Sequence, residues 1–449
     1  MRKKLIYLFA ILVFISSIPA FSSPQKEFNV ERLPLGNAKY KYDFAAVKSN
    51  QIYEAQTNQH ISFEQFINSL KKYRIVLVGE THTNDLHHQI QLRIIKGLVE
   101  SGSVVCLALE MFERQKQEIL DNYTAGKINE REFLDQTNWF VKWTHNYRYY
   151  KPIFDYARDN KIKMYAINIP RKYVSAMRTG MQKLSDKEKE AIPQVSTSSI
   201  EHQFLIKYFF EGLDALEPKL FQGFYLAQST WDAAMAEGAI KTAKENPRAI
   251  VVVMAGSGHV MYNLGIARII TERSGFSVAS VLAVDVPEET TISPMMEIKK
   301  GAKKEKGDKT LDKSSGKKKE ESPAHRPTRT QEGLISYKIV SRGLADFLFG
   351  VPDWKEKPIY PSLGFSTDEK SEKTGGFRIS RVFPETIARE KGFGVGDVIL
   401  TVDGRTLESK AELYEYLCYK NWNDDISFEI LSKGEKIQLE FKLVYKKHH

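Results

Sequence analysis

The sequence predicts an α/β fold with a mostly parallel sheet, helices on both faces and a helical insertion, followed by a small β-rich domain. Continuous apolar runs such as Arg74-Ile-Val-Leu-Val-Gly79 and Ala249-Ile-Val-Val-Val-Met-Ala-Gly256 read as strands buried on both faces. Segments of helical period separate these runs, the alternation that right-handed crossovers and a parallel sheet require. Between residues 298 and 330 the apolar pattern stops, then resumes near Leu334 with shorter alternating runs.

Taken from the N-terminus, Arg2, Lys3 and Lys4 precede an apolar run from Leu5 to Ile18 and a small-residue site at Ala20-Phe21-Ser22, the pattern of an export signal over 1–22. The run is shorter than the ~20 residues a membrane span needs. The expectation is therefore an exported chain, periplasmic or associated with the cell envelope, and soluble after signal cleavage. Residues 23–60 lack a clear period and are expected to wrap onto the first domain. Strands are predicted at 74–79, 104–109, 163–167, 249–255 and 276–284. Helices are predicted at 84–100, 113–124, 130–136, 148–160, 170–180, 198–215, 222–245 and 260–273. Asn129 with Glu132 forms a capping box, and Pro170 suits a first helical turn. The long helical interval between the strands at 163–167 and 249–255 is expected to cap or insert over the rim of the sheet. These elements define a first domain over 23–297. The Lys-, Glu-, Ser- and Gly-rich stretch 298–333 reads as a disordered basic linker, too polar to offset its chain entropy. A second domain follows over 334–449, with its core at 358–445. It has strand-like runs at 376–382, 397–402, 426–431 and 437–444, one helix from Ser409 to Cys418, and a tight turn at Asp403-Gly404.

The net charge of +10 first suggests nucleic acid. Three of those charges lie in the leader. Residues 298–330 hold twelve Lys/Arg against five Asp/Glu, so the folded remainder is close to neutral and a nucleic-acid-binding domain is disfavoured. The two cysteines, Cys106 and Cys418, fall in different domains, and Cys106 sits in an apolar run. No disulfide framework is expected.

Two copies of Gly-x-x-His carry the chemistry: Gly79-Glu-Thr-His82 and Gly256-Ser-Gly-His259, each directly after a predicted buried strand. In an open parallel sheet, ligands bind beyond the carboxyl ends of the strands, so both imidazoles are expected at one rim, with glycine permitting a sharp turn. Glu80, Glu110, Asn168, Arg171 and Asp285 also follow strands. Imidazoles and carboxylates converging at a rim suit a divalent metal with an open position, a carboxylate base and Arg171 as oxyanion partner. His87 and His88, on the next helix, are read as surface residues, with a rim-facing position as the alternative for either.

The blocks Val78-Gly-Glu-Thr-His82 with His88 and Gln91, Ala108-Leu-Glu-Met-Phe112 with Gln115, Ile128-Asn-Glu130 with Phe133 and Trp139, and Tyr150-Lys-Pro-Ile-Phe-Asp-Tyr-Ala157 follow in order. Ala166-Ile-Asn-Ile-Pro-Arg171, Gln228-Ser-Thr-Trp-Asp232 and Ala255-Gly-Ser-Gly-His259 complete the set. Over 61–285 the sequence resembles the ChaN-like haem-binding uptake family of the Tiki superfamily. That resemblance implies either haem binding at the envelope for iron uptake or, as in Tiki-like members, metal-dependent peptidase chemistry with substrates recruited by the second domain. The cofactor is thus haem or a divalent metal ion. The peptidase pattern carries over to a metal set of His82, Glu110 and His259, with Glu80 beside them. For haem, His82, His259, Tyr262 and the Tyr147/Tyr149/Tyr150 cluster are the axial candidates.

In the second domain, Ser362-Leu-Gly-Phe365, Gly375-Gly-Phe-Arg-Ile379, Ala388-Arg-Glu-Lys-Gly-Phe-Gly-Val-Gly-Asp-Val-Ile399 and Val402-Asp-Gly-Arg405 resemble a bacterial-type PDZ domain. The resemblance implies binding of a protein C-terminus or extended peptide as an added edge strand. Leu363, Gly364 and Phe365 match the carboxylate-binding loop.

Overall fold

The computed structural model describes residues 29–210, 216–287, 336–352 and 359–445. The predicted leader and the whole of the predicted linker lie outside the described residues. Among the described residues no helix is long and apolar enough to cross a membrane.

The large sheet has eight strands in the order Gln59–Ile61, Ile52–Glu54, Phe347–Pro352, Val278–Val286, Ile75–Glu80, Ala249–Gly256, Val104–Glu113 and Met164–Asn168. The last six are mutually parallel, and the first two close one edge as an antiparallel hairpin. Period-two side-chain alternation explains why the central runs are apolar throughout. Val76 and Val78 pack on one face with Ile94 and Leu98 of the helix Asp85–Glu100. Ile75 and Leu77 pack on the other with Ala236 and Ala239 of the helix Pro218–Glu245. That helix belongs to the core layer, where the sequence anticipated a cap. Its small residues let it approach the sheet closely. A Cβ on Gly238 would lie 2.6 Å from that of Ile167.

Residues 29–60 hold more regular structure than their pattern suggested, with Phe44–Lys48 pairing Tyr337–Ser341 antiparallel. Phe347–Pro352 enters the large sheet between Ile52–Glu54 and Val278–Val286. Both strands lie within the range assigned from sequence to the second domain, yet they complete the first. Aromatic packing is the reason: Phe347 and Phe349 both meet Phe66 edge-on at 5.0 Å between centroids.

The small domain is a five-stranded antiparallel sheet in sequence order, Phe365–Lys370, Phe377–Val382, Val398–Val402, Asp425–Ser432 and Glu435–Lys442, packed with the helix Lys410–Cys418. Its own core gathers Phe365, Phe377, Ile379, Phe393, Leu413 and Phe428. Both cysteines are free and buried.

Candidate functional site

The strands that end in the two Gly-x-x-His segments are neighbours in the sheet, with Glu80 opposite Gly256 in register. Val104–Glu113 flanks them, pairing Leu109 with Met254. This adjacency brings Glu80, His82, Glu110 and His259 to one rim. The glycines act differently from expectation. Gly79 lies within its strand, and Gly256 has ordinary extended backbone (φ −58°, ψ 143°). What Gly256 supplies is room. A Cβ there would stand 3.2 Å from His82 Cε1, 3.3 Å from Nε2 and 3.8 Å from Glu110 Oε2. Its amide donates to Glu110 Oε2 at 2.7 Å.

Each imidazole is oriented through Nδ1 by a carboxylate. His82 Nδ1 lies 2.8 Å from Glu80 Oε1, and His259 Nδ1 lies 2.6 Å from Asp232 Oδ1. Such outer partners fix tautomer and ring orientation and leave Nε2 for chemistry. Glu80 is itself held by the Tyr150 hydroxyl at 2.6 Å and Gln91 Nε2 at 2.6 Å, with His88 at 3.4 Å. Burial would raise its pKa, but the charges and hydrogen bonds of His88, His82 and Tyr150 outweigh burial and hold the carboxyl at about 2. His82 is pushed up: burial opposes the charge, and Glu80 and Glu110 overcome it. His259 is pushed up further, to about 9, because against burial it has Asp232 on one nitrogen and Glu110 Oε1 3.6 Å from the other. Asp232 Oδ2 in turn faces His202 Nε2 at 3.3 Å.

The mouth of the site is aromatic. Trp143 meets the His82 ring edge-on at 4.9 Å, and the His145 ring is 4.6 Å from it. His145 is only partly buried, and its pKa is lowered to about 3, first by desolvation and then by the charge on His82. It is therefore a neutral imidazole beside His82.

Asp232, His145 and His202 were not among the residues the sequence singled out. Asp232 and Tyr150 lie in motif blocks, but nothing in their spacing revealed a bond to a residue 27 or 70 positions away. His87 and His88, read as surface residues, are both buried. The His87 ring accepts the Thr81 amide at 2.9 Å and lies 3.6 Å from Asp285, while His88 Nε2 sits 3.2 Å from the His82 carbonyl. They brace the turn after the strand.

The family described as haem-binding uptake, Tiki superfamily, ChaN matches residues 66–270, and the PDZ family matches residues 361–443. The chain joins a ChaN domain to a PDZ domain. Among solved structures, the chain is similar to ChaN of Campylobacter jejuni, whose structure is titled for cofacial haem binding (23% identity, 52% of this chain and 90% of that one, TM-score 0.43). It is also similar to an erythromycin esterase mutant, EreC, in its open conformation (13% identity, 56% and 81%, TM-score 0.33). The HtrA-type protease AlgW with decapeptide is similar over a shorter stretch (23% identity, 19% of this chain and 29% of that one, TM-score 0.18). No curated protein matches the chain at significance.

Not every candidate residue reaches the rim of the ChaN domain. Tyr262 is buried in left-handed backbone (φ 60°), where its hydroxyl donates to the Val30 carbonyl at 2.8 Å and accepts the Leu33 amide at 3.0 Å. It pins the N-terminal segment to the domain and is corrected here from axial candidate to structural anchor. Tyr147 and Tyr149 are likewise core residues. Arg171 begins the helix Arg171–Thr179 and is exposed, though its charge helps depress His145. Among the described residues, no group of three or more His, Cys, Asp or Glu side chains is spaced to hold a metal ion. His259 Nε2 lies 3.6 Å from Glu110 Oε1, and His82 pairs with Glu80 at 2.8 Å.

In the PDZ domain, the Leu363 and Gly364 carbonyls point inward, accepting Ala388 and Phe383 amides at 2.8 and 2.9 Å. Gly364 is left-handed (φ 80°), and a Cβ there would lie 2.3 Å from Thr386 Cβ. Only glycine fits both conditions. Phe365, which begins the edge strand, is buried in the core.

Proposed function

We propose that the ChaN domain binds haem at this rim and that the PDZ domain recruits an envelope partner through a C-terminal or extended peptide. The observation that carries the haem reading is the mouth itself: an uncharged, partly buried imidazole, His145, beside the partly open His82 ring and the Trp143 indole. A haem iron takes a neutral imidazole as axial ligand, and the macrocycle takes an aromatic wall. His145 and His82 would hold the iron side, and Arg171, exposed at the start of its helix, is suited to a propionate. Haem would supply iron coordination and redox chemistry. The surrounding residues orient His82 and exclude water behind it. Export to the envelope through residues 1–22 and a part in haem or iron uptake belong to the same reading.

A haemin titration of the leaderless full chain, followed in the Soret region, tests this. Truncation at 297 is unsuitable because it removes a strand of the large sheet. A saturable one-to-one shift that His145→Ala weakens is the expected outcome. A titration indistinguishable from partition into an unrelated protein would overturn it.

A second reading, hydrolysis of a peptide or other acyl substrate, is favoured by one observation. Carboxylates on both Nδ1 atoms orient the two imidazoles, and His259 Nε2 faces Glu110 Oε1 at 3.6 Å, an arrangement suited to proton transfer. It includes the metal-dependent peptidase chemistry of the Tiki-like pattern. Turnover of casein or an arylester that Glu110→Gln abolishes would support it, and the effect of a chelator would decide on a divalent ion.

A further inference from the structure

The PDZ domain's peptide-binding edge is covered. Among the described residues, the strand Phe365–Lys370 has a strand neighbour on one side only. The amide of Thr367 donates at 3.1 Å to the Tyr414 hydroxyl, which reaches across from the helix Lys410–Cys418. An extended peptide adding to this edge needs backbone donors such as that amide. Tyr414 is held from behind: with Tyr360 and Cys418 it packs against the hydrophobic core of the ChaN domain.

A single turn of the ChaN domain fastens this arrangement. Asn146 Nδ2 donates to the Cys418 carbonyl at 3.1 Å, and the Arg148 guanidinium donates to the Lys420 carbonyl at 3.1 Å and to Asn421 Oδ1 at 2.7 Å. Arg148 also stacks 3.8 Å above the Tyr360 ring, and Arg131 pairs with Glu415 at 3.4 Å. A cation at the carbonyl end of a helix is favourable twice over, by hydrogen bonding and by the helix dipole. The next two residues contact side chains behind the rim. Tyr149 stacks on His88 (5.7 Å, 23°), and Tyr150 donates to Glu80 at 2.6 Å. Five consecutive residues, Asn146 to Tyr150, thus grip the PDZ helix at one end and the Glu80–His82 pair at the other.

We propose that the docked PDZ groove is self-occluded, and that a peptide with a free carboxylate end binds only by displacing Tyr414 and loosening the 146–150 turn, which couples peptide binding to the ChaN rim. This rests on the PDZ domain's peptide-binding reading. A docked majority reduces apparent affinity by the fraction that is competent, so a tenfold docking preference weakens binding about tenfold.

The test uses the leaderless full chain and a pool of random decapeptides with free C-termini, compared with the same pool amidated. Arg148→Ala is expected to bind the free-carboxylate pool about tenfold more tightly than the native chain. Arg148→Lys, which keeps charge but loses the planar fork, falls between them. Hydrogen exchange at 146–150 should rise when peptide is added to the native chain and should already be raised in Arg148→Ala. Equal affinity in all three proteins, or peptide binding with unchanged exchange at 146–150, overturns the coupling and leaves the PDZ reading intact. Failure of every variant to prefer free over amidated peptide removes the peptide-binding reading itself, and the coupling with it.

Discussion

The two Gly-x-x-His segments share a pattern, a rim of the sheet and a carboxylate at Nδ1, yet their histidines live in different surroundings. His259 is clamped between Asp232 and Glu110 and is largely shielded, with a side chain 14% exposed. His82 has one close carboxylate, aromatic neighbours and a side chain 29% exposed. The motif delivers an imidazole to the rim, and the neighbours decide what it does there. His259 is built as a fixed cation that holds Glu110 in place. His82 faces outward with His145 and Trp143.

The sharpest way to break this contrast is Asp232→Ala. Removing one partner from a buried ion pair leaves an uncompensated charge, so about 3–5 kcal/mol of stability should be lost in urea unfolding. The matching deletion at the open mouth, His145→Ala, should cost far less stability while weakening haemin uptake. A loss below about 1 kcal/mol for Asp232→Ala would show that His259 is not clamped.

The pH dependence separates the two ends of the site. His259 has a folded pKa of about 9, above its ordinary 6.5. Its stabilisation is therefore complete below about 6.5 and lost as pH rises through about 9. Glu80 has a folded value of about 2 against 4.5, so its contribution is present above about 4.5 and lost as pH falls through about 2. Each linked proton bends the stability curve by at most about 1.4 kcal/mol per pH unit. Unfolding midpoints measured across both windows, with NMR of the His259 ring, check both signs. A His259 ring that titrates near 6.5 would contradict the clamp.

A smaller effect is expected from Gly256→Ala, whose Cβ would press on His82. Overpacking of this kind costs about 1–3 kcal/mol and should move the His82 ring more than the His259 ring. A loss of similar size is expected from Tyr262→Phe. It gives up hydrogen bonds to Val30 and Leu33, worth about 0.5–1.5 kcal/mol each, and should leave haemin binding unchanged. Lost Soret binding in that variant would return Tyr262 to the site.

Much of the fold was legible because buried parallel strands write themselves as apolar runs. Ile75–Glu80 and Ala249–Gly256 fall within a residue or so of their predicted bounds. Phe347–Pro352 was missed because a strand is assigned to a sheet by its partners, and those lie far away in sequence. Within the site, Glu80, His82, Glu110 and His259 were legible because strand-end positions are dictated by topology. Asp232 and His145 were not, nor was the bond from Tyr150 to Glu80, since a side chain reaching across from a helix or loop leaves no periodic trace. His87 and His88 were misjudged for a related reason: burial of a polar ring depends on finding a partner, here Thr81, Asp285 or Glu80.

By itself the sequence determined the β/α alternation, the break near 298–330 and the arrival of two imidazoles at one rim, because hydrophobic period and strand ends are local properties of the chain. Only the tertiary structure decided which histidine is clamped and which is open, that the chain returns after residue 336 to complete the first sheet, and that the PDZ helix is fastened by the 146–150 turn. Each of these depends on groups brought together across tens to hundreds of residues, where distance and desolvation set the chemistry.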